Sequence, residues 1–548
     1  MKLKYFAIGI LMVCLSCDDL TELNENPNGV EPGVINPNLV LPTVVTEASK
    51  LYLNLGFGNI AGVMQHTQLD AWFDEHNDYA WTNQSWTPYY GVLRDNKVLY
   101  ERSAELHMEF HQGVSLIMKS MMFGLITDLW GDAPYTNALN GDLSGLENKL
   151  PVFDDQETIY RGIIADLETA NTLLSKDKQE YIGLYEDDEV PYASMHMDPA
   201  LWRKMANSLL LRYYMRISSR LPDVSRQGIE KIYAHPDEYP LITSSDEDAT
   251  MSYAGNSEGD SWPSNAVFDA SGSNYRRNRM CATLVEVLQA SNDARLGVWA
   301  SKVEIPLVVD AGLPEGTDKI EDGMRYLSPD VVGAKLIDTD PEYVGIPPSI
   351  SNLPSGYNLN PTPGQTSNNP HVSYLSPIYA DAAGPLLKAR LISAAEVHFI
   401  LAEAALKGWA TGAASEHYLA GIQASFETWG VADTYDDYVT QPGVMLSGDT
   451  DERLEKVMMQ KWIASWSATT ESWFDYRRTG LPVLSAGPAA ARDKLPVRFY
   501  YMQDEIEMNA ANTAKALERL EKTQYTQADG ANSAWSKPWL LQGTSKPW

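Results

Sequence analysis

The chain has 548 residues, with 42 Lys and Arg against 73 Asp and Glu, which gives a formal net charge of −31. A chain this acidic repels phosphate backbones, which argues against nucleic acid as a partner. Hydrophobic residues make up 44% of the sequence and charged residues 21%, as in ordinary globular proteins, so the composition excludes disorder along most of the chain. Its three cysteines are too few for a disulfide scaffold.

The N-terminus has the pattern of a secretory signal peptide. Lys2 and Lys4 precede the apolar run Tyr5–Leu15, which is too short to span a bilayer. Ser16 and Cys17 follow, and a small residue before a cysteine is what lipoprotein signal peptidase requires. We therefore predict that the first sixteen residues are removed and that Cys17 receives the lipid. The alternative is an ordinary secreted protein with a cysteine near its cleavage site.

The segment after the predicted lipidation site is polar, acidic and poor in apolar residues. This composition is typical of a flexible tether, which we assign to residues 17–38. The remainder, residues 39–548, is predicted to form a single domain carried on the lipid. Cys281 lies far from the other two cysteines in sequence, and we expect it to be a buried bystander.

Helical signals begin in the first half of the chain. Apolar residues at helical spacing cover 118–129 and again 163–174. Asp198 and Pro199 then supply an N-cap and a first-turn proline for a helix over Ala200–Ser219. These patterns predict three helices.

A predicted helix pair lies further along the chain. An apolar stripe covers 397–405, within a helix that begins near Ser393 and ends at Gly408. A second helix is predicted over Ala413–Thr428 after a short turn. Small residues on a stripe, a short turn and another helix are typical of helical repeats. No strict sequence period is present, so the number of repeats is not predicted.

Between residues 246 and 385 the sequence changes character. Gly, Pro, Asn and Ser cluster there and periodicity is weak. Loops this long inside a globular chain are usually functional surfaces or additions packed on a scaffold. Helical segments lie on both sides, so we interpret 246–385 as a loop-rich excursion from one domain.

One pattern invites an enzymatic interpretation. Gly255–Gly259 matches the Gly-x-Ser-x-Gly elbow, with Ser257 as the nucleophile. That elbow requires a strand before it and a helix after it. Trp262 and Pro263 follow closely and begin no helix, so we predict that Ser257 is not catalytic.

Other patterns suggest metal ions. His107 and His111 are spaced to share one helical face, but they lack the His-Glu-x-x-His order and an evident third ligand. Acidic clusters at 246–248 and 186–189 do not follow the calcium-loop rule. We therefore predict no metal and no cofactor.

Two aromatic clusters offer a better candidate for a binding site. Rings beside short polar side chains suit sugars, because pyranose C–H faces stack on rings while amides and carboxylates take the hydroxyls. The clusters lie in loop-like sequence near residues 70–83 and 253–275. The predicted ligand-binding residues are Trp72, Asn77, Tyr79, Trp81, Trp262 and Tyr275. For any single tryptophan, a place in the hydrophobic core is the alternative.

Eight blocks follow one another along nearly the whole chain: Cys17–Asp19, Trp86–Tyr90 with Asp95–Asn96, Phe123–Tyr135, Ile159–Ala170, Asn292–Leu296, Ser393–Ala404, Glu471–Pro482 and Lys494–Tyr501. Together they resemble the SusD/RagB family of Bacteroidetes outer-membrane lipoproteins. The fifth has Ala294 where the family usually has proline. Any one block is weak evidence, whereas their common order is strong.

The resemblance implies a mostly α-helical fold, with tetratricopeptide-like helix pairs in a right-handed superhelix packed against a loop-rich half. It implies no catalysis. It further implies a lipid-anchored protein at the cell surface that captures an oligosaccharide and delivers it to a SusC-like TonB-dependent transporter. Both aromatic clusters lie where the family's ligand loops commonly occur.

The shared blocks also have a structural interpretation. Glu471, Asp475, Arg477 and Arg478 place opposite charges within two helical turns, which predicts a partly buried ionic network between helices. Trp86 and Trp130 are predicted to lie in the core.

Two alternatives to glycan binding remain. The same architecture binds peptides in some relatives of the family. A secreted hydrolase on a helical scaffold is the minor alternative, and Ser257 would be its nucleophile.

Overall fold

The computed structural model describes residues 35–70, 75–81, 84–185, 193–350, 356–362 and 367–548. The predicted signal peptide and Cys17 lie outside the described residues, as do Trp72 and the acidic cluster at 186–189. The first described helix begins at Pro37, so the last two residues of the predicted tether are helical.

Helices dominate the described residues up to position 234. Their bounds are α1 Pro37–Phe57, α2 Asn59–Val63, α3 Thr87–Glu105, α4 Glu109–Trp130, α5 Leu146–Lys149, α6 Gln156–Leu173, α7 Pro199–Arg216 and α8 Pro222–Ala234. By length and composition α4 could cross a membrane, but 94% of its apolar window is buried inside the protein. It is the central helix of this half, since α1, α3, α6 and α7 all pack against it.

A second helical region follows residue 393. Its helices are α13 Ala394–Leu406, α14 Ala414–Thr428, α15 Tyr435–Val439, α16 Thr450–Ala464, α17 Thr469–Thr479, α18 Gln503–Met508 and α19 Ala510–Glu518. Neighbouring helices pack in pairs, α3 on α4, α6 on α7 and α13 on α14, as predicted for tetratricopeptide-like pairs. Helix α13 also contacts α7 and so joins the two helical regions.

The predicted starts of two helices are confirmed by their caps, whereas the helix predicted to reach Ser219 ends at Arg216. The Asp198 side chain accepts a hydrogen bond from the Ala200 N–H at 2.8 Å at the start of α7. Ser393 caps α13 by accepting from the Glu396 N–H at 3.3 Å. Gly131 ends α4 with φ +97°, a conformation that favours glycine.

The excursion at 246–385 is more regular than the sequence predicted. It contains short helices and strands: β2 Ala249–Ser252, α9 Ser273–Arg277, β3 Asn278–Met280, α10 Ala282–Ala290, α11 Arg295–Trp299, β4 Leu307–Val309, β5 Asp318–Glu321, β6 Met324–Leu327 and α12 Pro329–Val332. Strands β4, β6 and β5 form one small sheet. Strand β2 pairs antiparallel with β7, Lys388–Ile392, which closes the excursion at its base. One hydrophobic core continues from the helices into the excursion.

The predicted ionic network lies in this core. Arg477 donates to the Asp128 carboxylate at 3.1 Å, and Arg478 bridges Glu403 and Asp475. Every one of these side chains is at most about one-tenth exposed. The core positions predicted for Trp86 and Trp130 are also confirmed, with ring centroids 5.8 Å apart.

Candidate functional site

The two predicted aromatic clusters meet in space through a short β-ladder. Strand β1, Thr67–Leu69, pairs antiparallel with β3, and Leu69 lies opposite Asn278. Beyond the ladder, the Asp70 N–H donates to the Arg277 carbonyl at 2.8 Å. Segments about 210 positions apart in sequence are thereby fixed side by side.

Asn77 is anchored to the last residue of strand β1. Its amide oxygen accepts from the Leu69 N–H and its amide nitrogen donates to the Leu69 carbonyl, each at 2.8 Å. Because both polar ends of Asn77 pair with backbone and the side chain is buried, its role is to shape the loop. This corrects the prediction that Asn77 contacts the ligand.

His76 fixes the same loop on the helical scaffold. It hydrogen-bonds to the Thr67 hydroxyl at 3.1 Å, and burial lowers the pKa of His76 to about 4, so the ring is neutral at pH 7. Its backbone runs so close to α2 that a Cβ on Gly62 would lie 2.1 Å from the His76 carbonyl oxygen. Only glycine permits this approach.

Beside the ladder lies a surface cleft of about 300 Å³, which we call the ladder cleft. It is lined by Phe57, Gly58, Leu69, His76, Pro263, Ser264, Ser273, Asn274, Arg277 and Asn278. The lining combines apolar carbons with amide, hydroxyl and guanidinium groups. Such a mixture of apolar walls and a few convergent polar groups is typical of small-molecule sites.

Trp262 is enclosed behind the ladder cleft and has no ring face available to a ligand. Its side chain is fully buried, with the rings of Phe57 and Tyr379 at 5.0 and 5.9 Å. Its indole N–H donates to the Ser264 hydroxyl at 3.0 Å. Trp262 therefore lies in the hydrophobic core, which was the alternative for any single tryptophan. The prediction that it contacts the ligand is wrong.

Trp81 and Tyr79 are also core residues. The Trp81 ring, 1% exposed, meets Trp473 and Phe499 edge to face at 5.2 and 5.0 Å. Tyr79 is fully buried with φ +60°, and burial raises the pKa of its hydroxyl. Rings enclosed in this way cannot stack on a sugar, so both predicted contacts are corrected.

Among the predicted aromatic residues that the structure describes, only Tyr275 is half-exposed. Its ring stacks on Tyr374 with centroids 6.1 Å apart, and its hydroxyl donates to the Leu375 carbonyl at 2.7 Å. The buried Arg279 guanidinium covers the other ring, 3.1 Å from the Tyr374 centroid. A role for Tyr275 in ligand binding stays a prediction.

The enzymatic pattern does not have the geometry of a nucleophile elbow. Ser257 lies on the surface directly before the 3₁₀ turn Glu258–Asp260, and its hydroxyl donates to Asp260 at 3.1 Å. No α-helix follows the turn until Ser273. This arrangement does not aim the serine at a substrate.

The predicted metal patterns also have structural roles. His107 lies in a turn with φ +56°, before the helix that carries the buried His111, so the two do not share a helical face as predicted. Asp248 accepts from the Ala394 N–H at 2.8 Å and so supports the start of α13. Within the described ranges there is no group of three or more His, Cys, Asp or Glu side chains that could hold a metal ion.

Sequence reasoning missed most of the polar lining. Asn278 belongs to a three-residue strand, and Ser273 and Arg277 belong to a five-residue helix, α9. Elements this short carry too few residues for a periodic signal. The pairing of β1 with β3 is a long-range contact that no local pattern encodes. The one available signal was the position of these residues next to Asn274 and Tyr275.

Paired helices with a cleft formed by loops beside them are typical of a helical-repeat protein that binds a ligand. The chain matches the SusD-like family model, described as starch-binding associating with outer membrane, over residues 36–322 and 338–502. It therefore belongs to the SusD-like family of outer-membrane-associated nutrient-binding proteins. Among curated protein sequences, no significant match to this chain is found.

Solved structures share the fold. A SusD homologue from Bacteroides fragilis superposes with a TM-score of 0.70 at 22% identity and covers 93% of this chain and 100% of its own. A SusD-like protein from Bacteroides thetaiotaomicron gives 0.66 at 20% identity, covering 92% and 98%. A chitin-binding SusD homologue from Flavobacterium johnsoniae gives 0.66 at 19% identity, covering 92% and 99%. The tetratricopeptide-like helical fold implied by the resemblance is thus confirmed.

Proposed function

We propose that this protein binds glycan oligomers in the ladder cleft at the cell surface and passes them to a TonB-dependent transporter of the SusC type. The observation that carries the proposal is the cleft itself, because the β1–β3 ladder brings both predicted ligand segments to one concave surface. The family description as starch-binding and the chitin-binding neighbour support a glycan as the ligand.

The lining of the cleft suits a polyhydroxylated ligand. Asn274 is exposed and offers an amide donor and acceptor, while Arg277 offers guanidinium donors. Phe57, Leu69 and Pro263 supply apolar surface for C–H faces. Each neutral hydrogen bond contributes about 0.5–1.5 kcal/mol net, so a few contacts give modest affinity, which suits a protein that must release its ligand.

Surface attachment completes the proposed function. A lipid on Cys17 would hold the protein on the outer membrane, and α1 begins 20 residues later, at Pro37. A chain of that length reaches at most about 70 Å when fully extended. The domain can therefore cover and uncover a transporter mouth while it stays anchored.

A peptide ligand is the second candidate. Burial of Trp81 and Trp262 removes two of the predicted ring platforms, and the amides of Asn274 and Asn278 can pair with peptide backbone as well as with sugar hydroxyls. Both ligand classes are therefore included in the test.

The experiment is calorimetry of the purified protein against starch and chitin oligosaccharides and a mixed peptide pool. We expect saccharide binding that Asn274→Ala or Arg277→Ala weakens by about tenfold, because each loses charged or amide hydrogen bonds. The matched control is Arg226→Ala on α8, an exposed arginine paired with Glu230.

The outcomes separate the two candidates. Peptide binding alone, weakened by the same two variants, would replace glycan with peptide as the ligand. Saccharide binding that neither variant changes would place the ligand outside the ladder cleft and overturn the proposed site.

A further inference from the structure

The charge of the ladder cleft differs from that of the rest of the chain. The sequence has 73 Asp and Glu against 42 Lys and Arg, so carboxylates are expected in most surface clefts. Among the described residues that line the ladder cleft there is no Asp or Glu, and Arg277 is the one side chain with a permanent charge. His76 is neutral at pH 7, because burial lowers its pKa to about 4. The described lining is therefore cationic, on an acidic protein.

The ladder holds Arg277 in place at the cleft. Arg277 is the last residue of α9, and β3 begins at the next residue, Asn278, which pairs with Leu69. The Arg277 carbonyl also accepts from the Asp70 N–H at 2.8 Å. The main chain is thus fixed on both sides of the side chain, which is itself half-exposed. A ligand can meet this guanidinium without any change in the backbone.

Two more arginines lie within two positions of Arg277. Arg276 is half-exposed and donates to the Ser367 carbonyl at 2.6 Å. Arg279 is fully buried, with its guanidinium carbon 3.1 Å from the centre of the Tyr374 ring. None of its three nitrogens meets a hydrogen-bond acceptor in good geometry among the described residues. A buried charge is screened by salt less than an exposed one, so Arg279 adds positive potential to this wall of the cleft.

The carboxylates nearby have partners other than the cleft. In residues 67–81 and 262–280 the described carboxylates are Asp70, Glu75, Asp78 and Asp269. Asp70 accepts from the Ser367 hydroxyl at 2.5 Å and lies 4.0 Å from Arg279. Glu75 accepts from two side-chain amides, Asp78 from a backbone N–H, and Asp269 from two serine hydroxyls and two backbone N–H groups. None of the four is among the residues that line the cleft.

A guanidinium group distinguishes acidic from neutral sugars. It binds a carboxylate or sulfate through two parallel N–H···O bonds, which are about twice as strong as bonds between neutral groups. A sugar carboxyl group is ionised at pH 7, as side-chain carboxyl groups are. A neutral sugar that covered Arg277 would desolvate its charge without supplying a counter-charge, which is unfavourable.

We infer that the ladder cleft prefers an acidic glycan, an oligosaccharide with carboxylate or sulfate groups, and that Arg277 binds the anionic group. The inference rests on the proposed function, because it takes the ladder cleft as the glycan site. The net charge of −31 repels anions from most of the protein surface, so such a ligand needs a local cation in order to bind. Phe57 and Pro263 still provide apolar surface for the sugar C–H faces.

The test is calorimetry with two forms of one oligosaccharide, oligogalacturonate and its methyl ester, which differ in charge. We expect the acid to bind about tenfold more tightly than the ester, because only the acid forms charged bonds with Arg277. Arg277→Gln keeps an amide donor but removes the charge, so it should bind acid and ester equally. The matched control, Arg226→Gln on α8, should keep the preference. Thermal unfolding verifies that both variants are folded.

A second pair of ligands identifies the anionic group. Sulfated κ-carrageenan oligosaccharides and their desulfated form are titrated in the same way, and the pair with the larger ratio of affinities shows whether sulfate or carboxylate is recognised. Equal binding of charged and neutral forms, or a preference that survives in Arg277→Gln, would overturn the inference and leave glycan binding intact. Absence of binding by all these ligands and by starch and chitin oligosaccharides would overturn the proposed function as well.

Discussion

At the scale of single residues, Glu471 is a buried charge that depends on several partners. It is 6% exposed, accepts from Arg216, lies 3.4 Å from Arg212, and accepts from the Tyr52 hydroxyl at 3.3 Å. Burial alone would raise its pKa, but the two guanidinium groups lower the pKa below the usual value. A charge in this setting is stable only while its partners remain.

Glu471→Gln should therefore be strongly destabilising. The change removes a counter-charge that Arg212 and Arg216 share and leaves them only Glu396 and Asp128 as partners. Breaking a buried ion pair in this way costs about 3–5 kcal/mol in the free energy of unfolding. Denaturant unfolding measures the loss. The control is Glu157→Gln on α6, whose exposed pair with Arg161 contributes less than about 0.5 kcal/mol. Equal losses in the two variants would contradict a structural role for the network.

The sequence predicted only those members of this network that lie on one helix. Glu471, Asp475, Arg477 and Arg478 share one helix, so their charges were visible as a local pattern. Their partners Arg216 and Asp128 lie on α7 and α4, hundreds of residues away, and only the packing of helices brings them together. The same limit applied to Trp81 and Trp262, because sequence shows an aromatic ring but not which of its faces is covered.

At the scale of elements, the helices were predictable and the ladder was not. Helices such as α13 carry an apolar stripe and a serine cap that local sequence displays. Strands β1 and β3 have three residues each and are defined only by their mutual hydrogen bonds. The ladder cleft is built on these short strands, so the sequence did not predict most of the residues that line it.

The contact between α2 and the loop at His76 provides a test at this scale. Gly62→Ala would put a methyl group 2.1 Å from the His76 carbonyl, so the loop must move away from the cleft. We expect lower thermal stability together with weaker ligand binding, measured by unfolding and calorimetry on the same sample.

Gly91→Ala on α3 is the matched control for that substitution. A Cβ at Gly91 meets no atom within 4 Å, and alanine in a helix interior is favoured over glycine, so this variant should be more stable by up to about 1 kcal/mol. Its ligand binding should be unchanged. Normal ligand binding in folded Gly62→Ala would show that the position of the His76 loop does not shape the site.

At the scale of the whole molecule, the described domain and the proposed anchor would carry different parts of the proposed function. The described domain holds the cleft, whereas the proposed surface location depends on residues before α1. Removal of the first sixteen residues takes away Lys2 and Lys4, so the mature net charge would be −33. An acidic domain is repelled by an anionic membrane surface, so we expect the proposed lipid, and not the surface of the domain, to hold the protein at the membrane.

Two cysteines near the N-terminus make the anchor testable within one chain. Cys17 follows the small residue Ser16, whereas Cys14 follows the branched Val13. We expect Cys17→Ser to abolish incorporation of a labelled fatty acid and to release the protein into the soluble fraction, while Cys14→Ser keeps both the label and the membrane location. Both substitutions leave the signal pattern of Lys2 and Lys4 intact, so secretion serves as the internal reference. Loss of label in Cys14→Ser alone would move the anchor three residues toward the N-terminus, and no label in the wild-type chain would remove the lipid from the proposed function.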